Sequence, residues 1–378
     1  MKRIFAMSLV LITLVVLPFP VQAEELTVAG KSSLLMDVAT GTVLHEQNSH
    51  EKLAPASVTK IMTMLLIMEA VDSGKISMSD MVTASETAAA KGGSQIFLKA
   101  GETMPVSDML KSIAVSSAND CACAMAEHIA GSEEAFVARM NERAAELGMQ
   151  DTHFCNATGL PAQGHVTSAH DIALMSRELI LNHPKIREYT TIWMDTLRNG
   201  QSQLVNTNKL IRFYEGATGL KTGSTDAARY CLSGTAEREG MELVAVIMKG
   251  ETSEKRFADA KALLNYGFST YTLKNVTPQT PLAPIPVELG TQATCQPTVG
   301  EGATLLMEKA KAGDLQQSVE IVEGLTAPVA AGDPLGTLTV TSGGETVASI
   351  PIVAGETVER LTFGQVFGKL LKMALMAG

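Results

Sequence analysis

Aromatic residues are scarce in this sequence: 4% of 378 residues, with a single tryptophan. Little is available to build stacking platforms for bases. Cations are outnumbered, 30 Lys+Arg against 40 Asp+Glu, for a formal charge of −10. Phosphate binding needs clustered cations, so this balance argues against nucleic acid as the main partner. Charged residues of either sign reach only 19%, while 46% are hydrophobic, too apolar a mixture for a disordered chain. The length allows two or three domains. Cysteine is limited to Cys121, Cys123, Cys155, Cys231 and Cys295. An odd number leaves at least one unpaired in a monomer, and a chain this long needs no disulfide framework. Cys121 and Cys123 lie near His128, but positions two apart on a helix face different sides, and no other Cys/His cluster has zinc-like spacing. They read as small buried residues, and neither metal nor cofactor is expected.

The N-terminus carries a secretion signal. Lys2 and Arg3 precede an apolar stretch from Met7 to Leu17, Pro18 and Pro20 break it, and Val21-Gln22-Ala23 supplies small residues for cleavage. The apolar run is short of the ~20 residues a membrane span requires. Cleavage after Ala23 leaves residues 24–378 with 28 cations against 40 acids, a charge of −12. The protein is expected to be exported.

Ser33 to Gln47 reads as a β-hairpin around Ala39-Thr40-Gly41. A helix opens at Pro55 and runs to about Val71, apolar nearly all round and therefore central. Helical spacing recurs near 105–116, 119–130, 133–147 and 168–182. Strand patterns return at 218–224, 229–236 and 242–248, followed by a helix near 253–266. Two strands, then helices, then three strands imply an α/β fold: a five-stranded antiparallel sheet flanked by helices, over residues 24–272. Residues 273–360 open with a proline-rich stretch, a linker or edge-strand approach, and continue as a small all-β domain.

Three short motifs stand in order. Ser57-Val58-Thr59-Lys60 is S-x-x-K at a helix start, Ser117-Ala118-Asn119 is S-x-N between helices, and Lys221-Thr222-Gly223 is K-T-G on a strand. Each alone is weak; all three in this order in an exported chain are a strong signal. One helical turn brings Ser57 and Lys60 to one face. A serine hydroxyl is a poor nucleophile at neutral pH. Lys60 can serve as its base if burial and a second cation, Lys221, lower its pKa. The N–H of Ser57 lies where an oxyanion would develop.

With Leu53-Ala54-Pro55-Ala56-Ser57, Gly93-Ser94-Gln95-Ile96-Phe97-Leu98, Ser117-Ala118-Asn119-Asp120 and Thr218 to Gly223, the chain resembles the low-molecular-mass penicillin-binding proteins that act as D-alanyl-D-alanine carboxypeptidases, of the serine β-lactamase/transpeptidase-like superfamily. The resemblance implies a peptidoglycan stem pentapeptide as substrate and β-lactams as covalent inhibitors. It also implies Ser224 as the second oxyanion N–H, Ser117 as proton relay, and Asn119 as holder of a substrate amide. Thr222, Gly223 and Arg256 would meet the substrate, with Arg256 receiving its terminal carboxylate. Some relatives have His where Thr158 precedes Gly159-Leu160, and none of the seven histidines makes a convincing Ser-His-Asp set.

Two other functions compete. A class A-like β-lactamase would use a glutamate in an E-x-x-L-N string, which Glu178-Leu179-Ile180-Leu181-Asn182 fits, though within a helical pattern far beyond Asn119. A non-enzymatic, penicillin-binding morphology factor would have no need of an intact nucleophile and base. At the C-terminus, residues 361–378 form an amphipathic helix. Phe363, Val366, Phe367, Leu370, Leu371 and Ala374 share one face; Gln365, Lys369 and Lys372 share the other. Such a helix suits a membrane interface, here the outer face of the cytoplasmic membrane, or docks on its own β-domain or on another copy.

Overall fold

The computed structural model describes residues 26–300 and 303–376. The secretion signal expected at 1–23 lies outside them. Strands Ser32–Asp37 and Val43–Gln47 form the hairpin, and Ala217–Thr225, Arg229–Arg238 and Met241–Gly250 complete a five-stranded sheet. The order places Ser32–Asp37 between its hairpin partner and Met241–Gly250, with Ala217–Thr225 at the far edge. Every pairing is antiparallel.

Alternation along the strands divides the core in two. Leu34, Met36, Val244, Val246 and Met248 face one side, packing with the central helix and its neighbours. Leu35, Leu243, Ala245 and Ile247 face the other, under Phe257, Ala260, Leu263, Leu264 and Phe268 of the Ser253–Thr270 helix. The central helix, Lys60–Asp72, is buried on nearly every side, which its continuous apolar run requires. Helices Val106–Ser116, Asn119–Ala130, Glu133–Glu146 and Ala169–Asn182 surround it, close to the expected ranges. Ser132 and Ser168 cap the last two by accepting from the N–H groups of Ala135 and Asp171.

Three features differ from expectation. The central helix does not open at Pro55: a 3-10 turn, Ala56–Thr59, comes first. Short antiparallel pairs join Met81–Thr83 to Thr103–Pro105 and Met194–Leu197 to Ser202–Val205. They are too short to give a period, so only tertiary contact reveals them. The proline-rich stretch runs into Ile285–Glu288, which lies in the middle of a three-stranded sheet rather than at its edge. Beyond the Ser253–Thr270 helix the chain is all β, with two small apolar clusters around Val329 and Leu338. Its first strand, Tyr271–Asn275, pairs with Thr304–Glu308, so the expected boundary at 272/273 falls inside a strand. All five cysteines are free thiols, with Cys121 and Cys123 buried.

Candidate active site

Ala56, directly before Ser57, has φ +49° and is held there by close packing. The Asn156–Leu160 loop presses against it: a Cβ on Gly159, itself at φ +81°, would lie 1.9 Å from the Ala56 carbonyl oxygen. In the 3-10 turn residues three apart eclipse one another, and Lys60 Nζ stands 3.0 Å from Ser57 Oγ.

Lys60 is wholly buried, and its amine has two further neighbours: Asn119 Oδ1 at 2.6 Å and the Thr158 carbonyl at 2.6 Å. Both can only accept. Asn119 is oriented unambiguously, because its Nδ2 donates to the Gly92 carbonyl at 2.6 Å. A neutral amine has two hydrogens and one lone pair. With the hydrogens given to Asn119 and Thr158, the lone pair faces the hydroxyl of Ser57. Burial, and after it the charge of Lys221, hold the Lys60 pKa well below the ordinary lysine value. The site therefore favours the form in which Lys60 can take a proton from Ser57.

Lys221 is also buried, on the edge strand of the sheet, where it donates to the Thr222 carbonyl at 2.8 Å. Burial, helped by Arg256, lowers its pKa to about 7. Gly223 brings this strand onto the Ser57 turn: a Cβ there would lie 2.9 Å from the Ser57 amide nitrogen. Ser224 follows, exposed at the mouth of the same contact. The Thr222 hydroxyl donates to Thr207 Oγ1 at 2.7 Å.

Arg256 is not a solvated cation. It is buried, its Nη1 donates to the carbonyls of Gly223 and Cys231 at 3.1 and 3.0 Å, and its guanidinium lies against the rings of Tyr230 and Phe257. It braces the end of the K-T-G strand from behind.

Ser117 closes the Val106–Ser116 helix in the left-handed region, φ +65°, and its buried hydroxyl has no hydrogen-bond partner among the described residues. The Asn119 N–H donates to the Ser94 carbonyl at 2.7 Å, which fixes the Gly93–Ser94 loop beside it. Sequence reasoning missed three supporting groups. Asp120 accepts from the N–H groups of Ile96 and Leu98 at 3.1 and 3.0 Å; its signal was its place next to Asn119. Thr158 acts through its backbone, which no side-chain pattern reports. His165 accepts the Cys155 N–H at Nδ1, and its Nε2 lies 2.8 Å from the Thr59 hydroxyl, which donates to the Ala56 carbonyl. The ring thus carries its hydrogen on Nε2 and steadies the Ala56–Thr59 turn, and burial lowers its pKa to about 4.

Glu178 lies on the Ala169–Asn182 helix, where it accepts from Arg143 at 2.5 Å and from Asn182 at 2.8 Å. It is an ion-pair residue, and none of its bonds reaches Ser57 or Lys60.

A serine hydroxyl with an amine in the place usually taken by imidazole is an arrangement that suits a serine hydrolase. The chain belongs to the D-alanyl-D-alanine carboxypeptidase family (Peptidase S11), which it matches over residues 20–252; residues 271–360 match the C-terminal domain of penicillin-binding protein 5. It is 42% identical to the D-alanyl-D-alanine carboxypeptidase DacF of Bacillus subtilis, over 96% of each chain. It is 32% identical to DacC of Escherichia coli, over 93% of this chain and 89% of that one. Penicillin-binding protein 5 from Haemophilus influenzae superposes with a TM-score of 0.78 at 27% identity, covering 88% of this chain and 98% of the other. Penicillin-binding protein D2 from Listeria monocytogenes, solved in its ampicillin-bound form, superposes with a TM-score of 0.57 at 33% identity, over 65% of this chain and 100% of that one.

Proposed function

We propose that this protein is a serine D-alanyl-D-alanine carboxypeptidase that trims the terminal D-alanine from peptidoglycan pentapeptides and is acylated by β-lactams. The observation that carries the reading is the Lys60 amine, with two acceptors for its two hydrogens and Ser57 Oγ at 3.0 Å for its lone pair. Ser57 Oγ attacks the penultimate D-alanine carbonyl while its proton passes to Lys60 Nζ. The oxyanion sits between the N–H groups of Ser57 and Ser224. The C–N bond then breaks, and the proton passes from Lys60 Nζ through the Ser117 hydroxyl to the departing D-alanine amine. Water hydrolyses the acyl-enzyme and restores Ser57. A β-lactam opens by the same attack, with its amine still tethered in the site. Asn119 holds the substrate amide, while Thr222 and Gly223 flank the terminal carboxylate. The charges of Lys221 and Arg256 attract that carboxylate, Arg256 from behind the strand.

The test is D-alanine release from a pentapeptide alongside hydrolysis of benzylpenicillin. Release of D-alanine with a slowly lost penicillin adduct is expected. Fast penicillin hydrolysis without D-alanine release would instead make it a β-lactamase, and labelling with neither turnover a morphology factor. Arg256→Ala should reduce turnover of substrates with a free carboxylate far more than of amidated analogues; equal losses would remove Arg256 from carboxylate recognition.

The enzyme works outside the cytoplasm, held to the membrane by its C-terminal helix. No helix among the described residues is long and apolar enough to cross a membrane. The Phe363–Met376 helix leaves Phe363, Phe367, Leu370 and Leu371 exposed, which favours a lipid surface over docking on the chain's own β-domain. Deleting residues 361–378 should leave activity intact and abolish co-sedimentation with anionic vesicles. Undiminished vesicle binding by the truncated enzyme would show that the anchor lies elsewhere.

A further inference from the structure

Ala56 and Ser57 share one peptide unit. That unit is planar and trans, so whatever holds the Ala56 carbonyl also aims the Ser57 N–H, in the opposite direction. Ala56 needs holding: its φ of +49° is one that alanine rarely adopts, and the Ser57 N–H has no acceptor among the described residues. The carbonyl is gripped by the Thr59 hydroxyl, which donates to it at 2.8 Å. Thr59 is wholly buried, and a hydroxyl that has given away its hydrogen offers only lone pairs to His165 Nε2, 2.8 Å away. His165 can donate there because its Nδ1 is the acceptor for the Cys155 N–H, at 3.0 Å. The sequence Cys155 N–H, His165, Thr59, Ala56 carbonyl therefore runs in one direction from end to end. Reversing any link would set two donors or two acceptors face to face. An imidazole only 5% exposed is costly to bury, and an aliphatic side chain would fill the same space. What the ring adds is a fixed direction for the Thr59 hydroxyl.

Resting on the reading of Ser57 as nucleophile and of its N–H as an oxyanion donor, we propose that His165 is a positioning residue for acylation. Through Thr59 and the Ala56 carbonyl it holds the Ser57 N–H in line with the developing oxyanion. The ring touches neither the substrate nor Ser57. Its effect belongs to the attack on the carbonyl, because the oxyanion develops only there and binding before attack makes no use of it.

The two ring nitrogens can be removed separately. Asparagine puts an oxygen near the place of Nδ1, where it still accepts from Cys155, and is too short to reach Thr59. Glutamine puts an amide N–H near the place of Nε2 and keeps the bond to Thr59. The rate of acylation at saturating benzylpenicillin should fall about tenfold in His165→Asn, less than the loss on deleting an oxyanion donor outright. The half-saturating concentration should stay within about twofold of wild type, as it must if only the attack is affected. His165→Gln should acylate nearly as fast as wild type. Thr59→Val should match His165→Asn, and Thr59→Ser should recover the rate. The double variant His165→Asn/Thr59→Val should be no slower than the slower single variant, because both cut the same connection. Multiplied losses in the double variant, a change in half-saturation instead of rate, or an unchanged rate in His165→Asn would overturn the proposal. If His165→Asn does not fold, Thr59→Val against Thr59→Ser decides it, equal rates being the overturning result. Penicillin labelling of Ser57 in the wild type tests the underlying reading by itself, so the two failures are distinguishable.

Discussion

Lys60→Ala should be acylated by benzylpenicillin at least about a hundredfold more slowly than wild type, and Ser57→Ala should carry no adduct at all. The reason is the division of labour at the Lys60 amine. Asn119 and Thr158 take its hydrogens, and only Ser57 meets its lone pair. Peptide mass spectrometry should place the wild-type adduct on Ser57. An adduct on another serine, or full labelling of Ser57→Ala, would remove Ser57 as nucleophile.

The pH dependence of kcat/KM follows from the same pair of lysines. Lys60 must be neutral to accept a proton, and its pKa is held well below the ordinary value by burial and by Lys221. Activity should therefore rise from acid as Lys60 loses its proton. In the proposed mechanism Lys221 works as a cation, and burial lowers its pKa to about 7, so activity should fall as pH passes that value. The alkaline limb of the profile should therefore lie near neutrality. A profile that keeps rising well above neutral pH would show that Lys221 acts in its neutral form.

Gly159→Ala should have an effect nearly as large, without touching a reacting group. Its Cβ would sit 1.9 Å from the carbonyl oxygen and 2.3 Å from the carbonyl carbon of Ala56, so the residue before the nucleophile must move. A shift of about 1 Å at a reacting atom costs on the order of a hundredfold. Gly148→Ala is the control. It has a similar φ, +75°, and nothing within 4 Å of the added carbon. It should cost about 1–2 kcal/mol of stability from the left-handed backbone alone and leave the acylation rate unchanged. If Gly159→Ala is acylated as fast as Gly148→Ala, the loop does not set the nucleophile.

Much of this was legible in the linear sequence because it rests on local period and spacing. The alternation of Leu34, Leu35 and Met36 assigns the two faces of the sheet. The apolar run after Lys60 announces a buried helix, and the order of the three motifs identifies the family. Ser57 and Lys60 meet because they are three residues apart, a distance that helix geometry fixes. What the sequence could not give is whatever depends on contacts between distant segments. Lys60 reaches Thr158 across 98 residues, and through a backbone carbonyl that has no residue type. Arg256, which the resemblance assigns to the substrate's terminal carboxylate, is buried and donates to the Gly223 and Cys231 carbonyls, a contact between segments far apart in the chain. Glu178 matched a catalytic string but lies in an ion pair with Arg143. Hydrophobic spacing determines which segments form and which faces they bury. Whether an amine is neutral, a cation is free or a glutamate is near a nucleophile depends on desolvation and distance in three dimensions, and only the tertiary structure decides those.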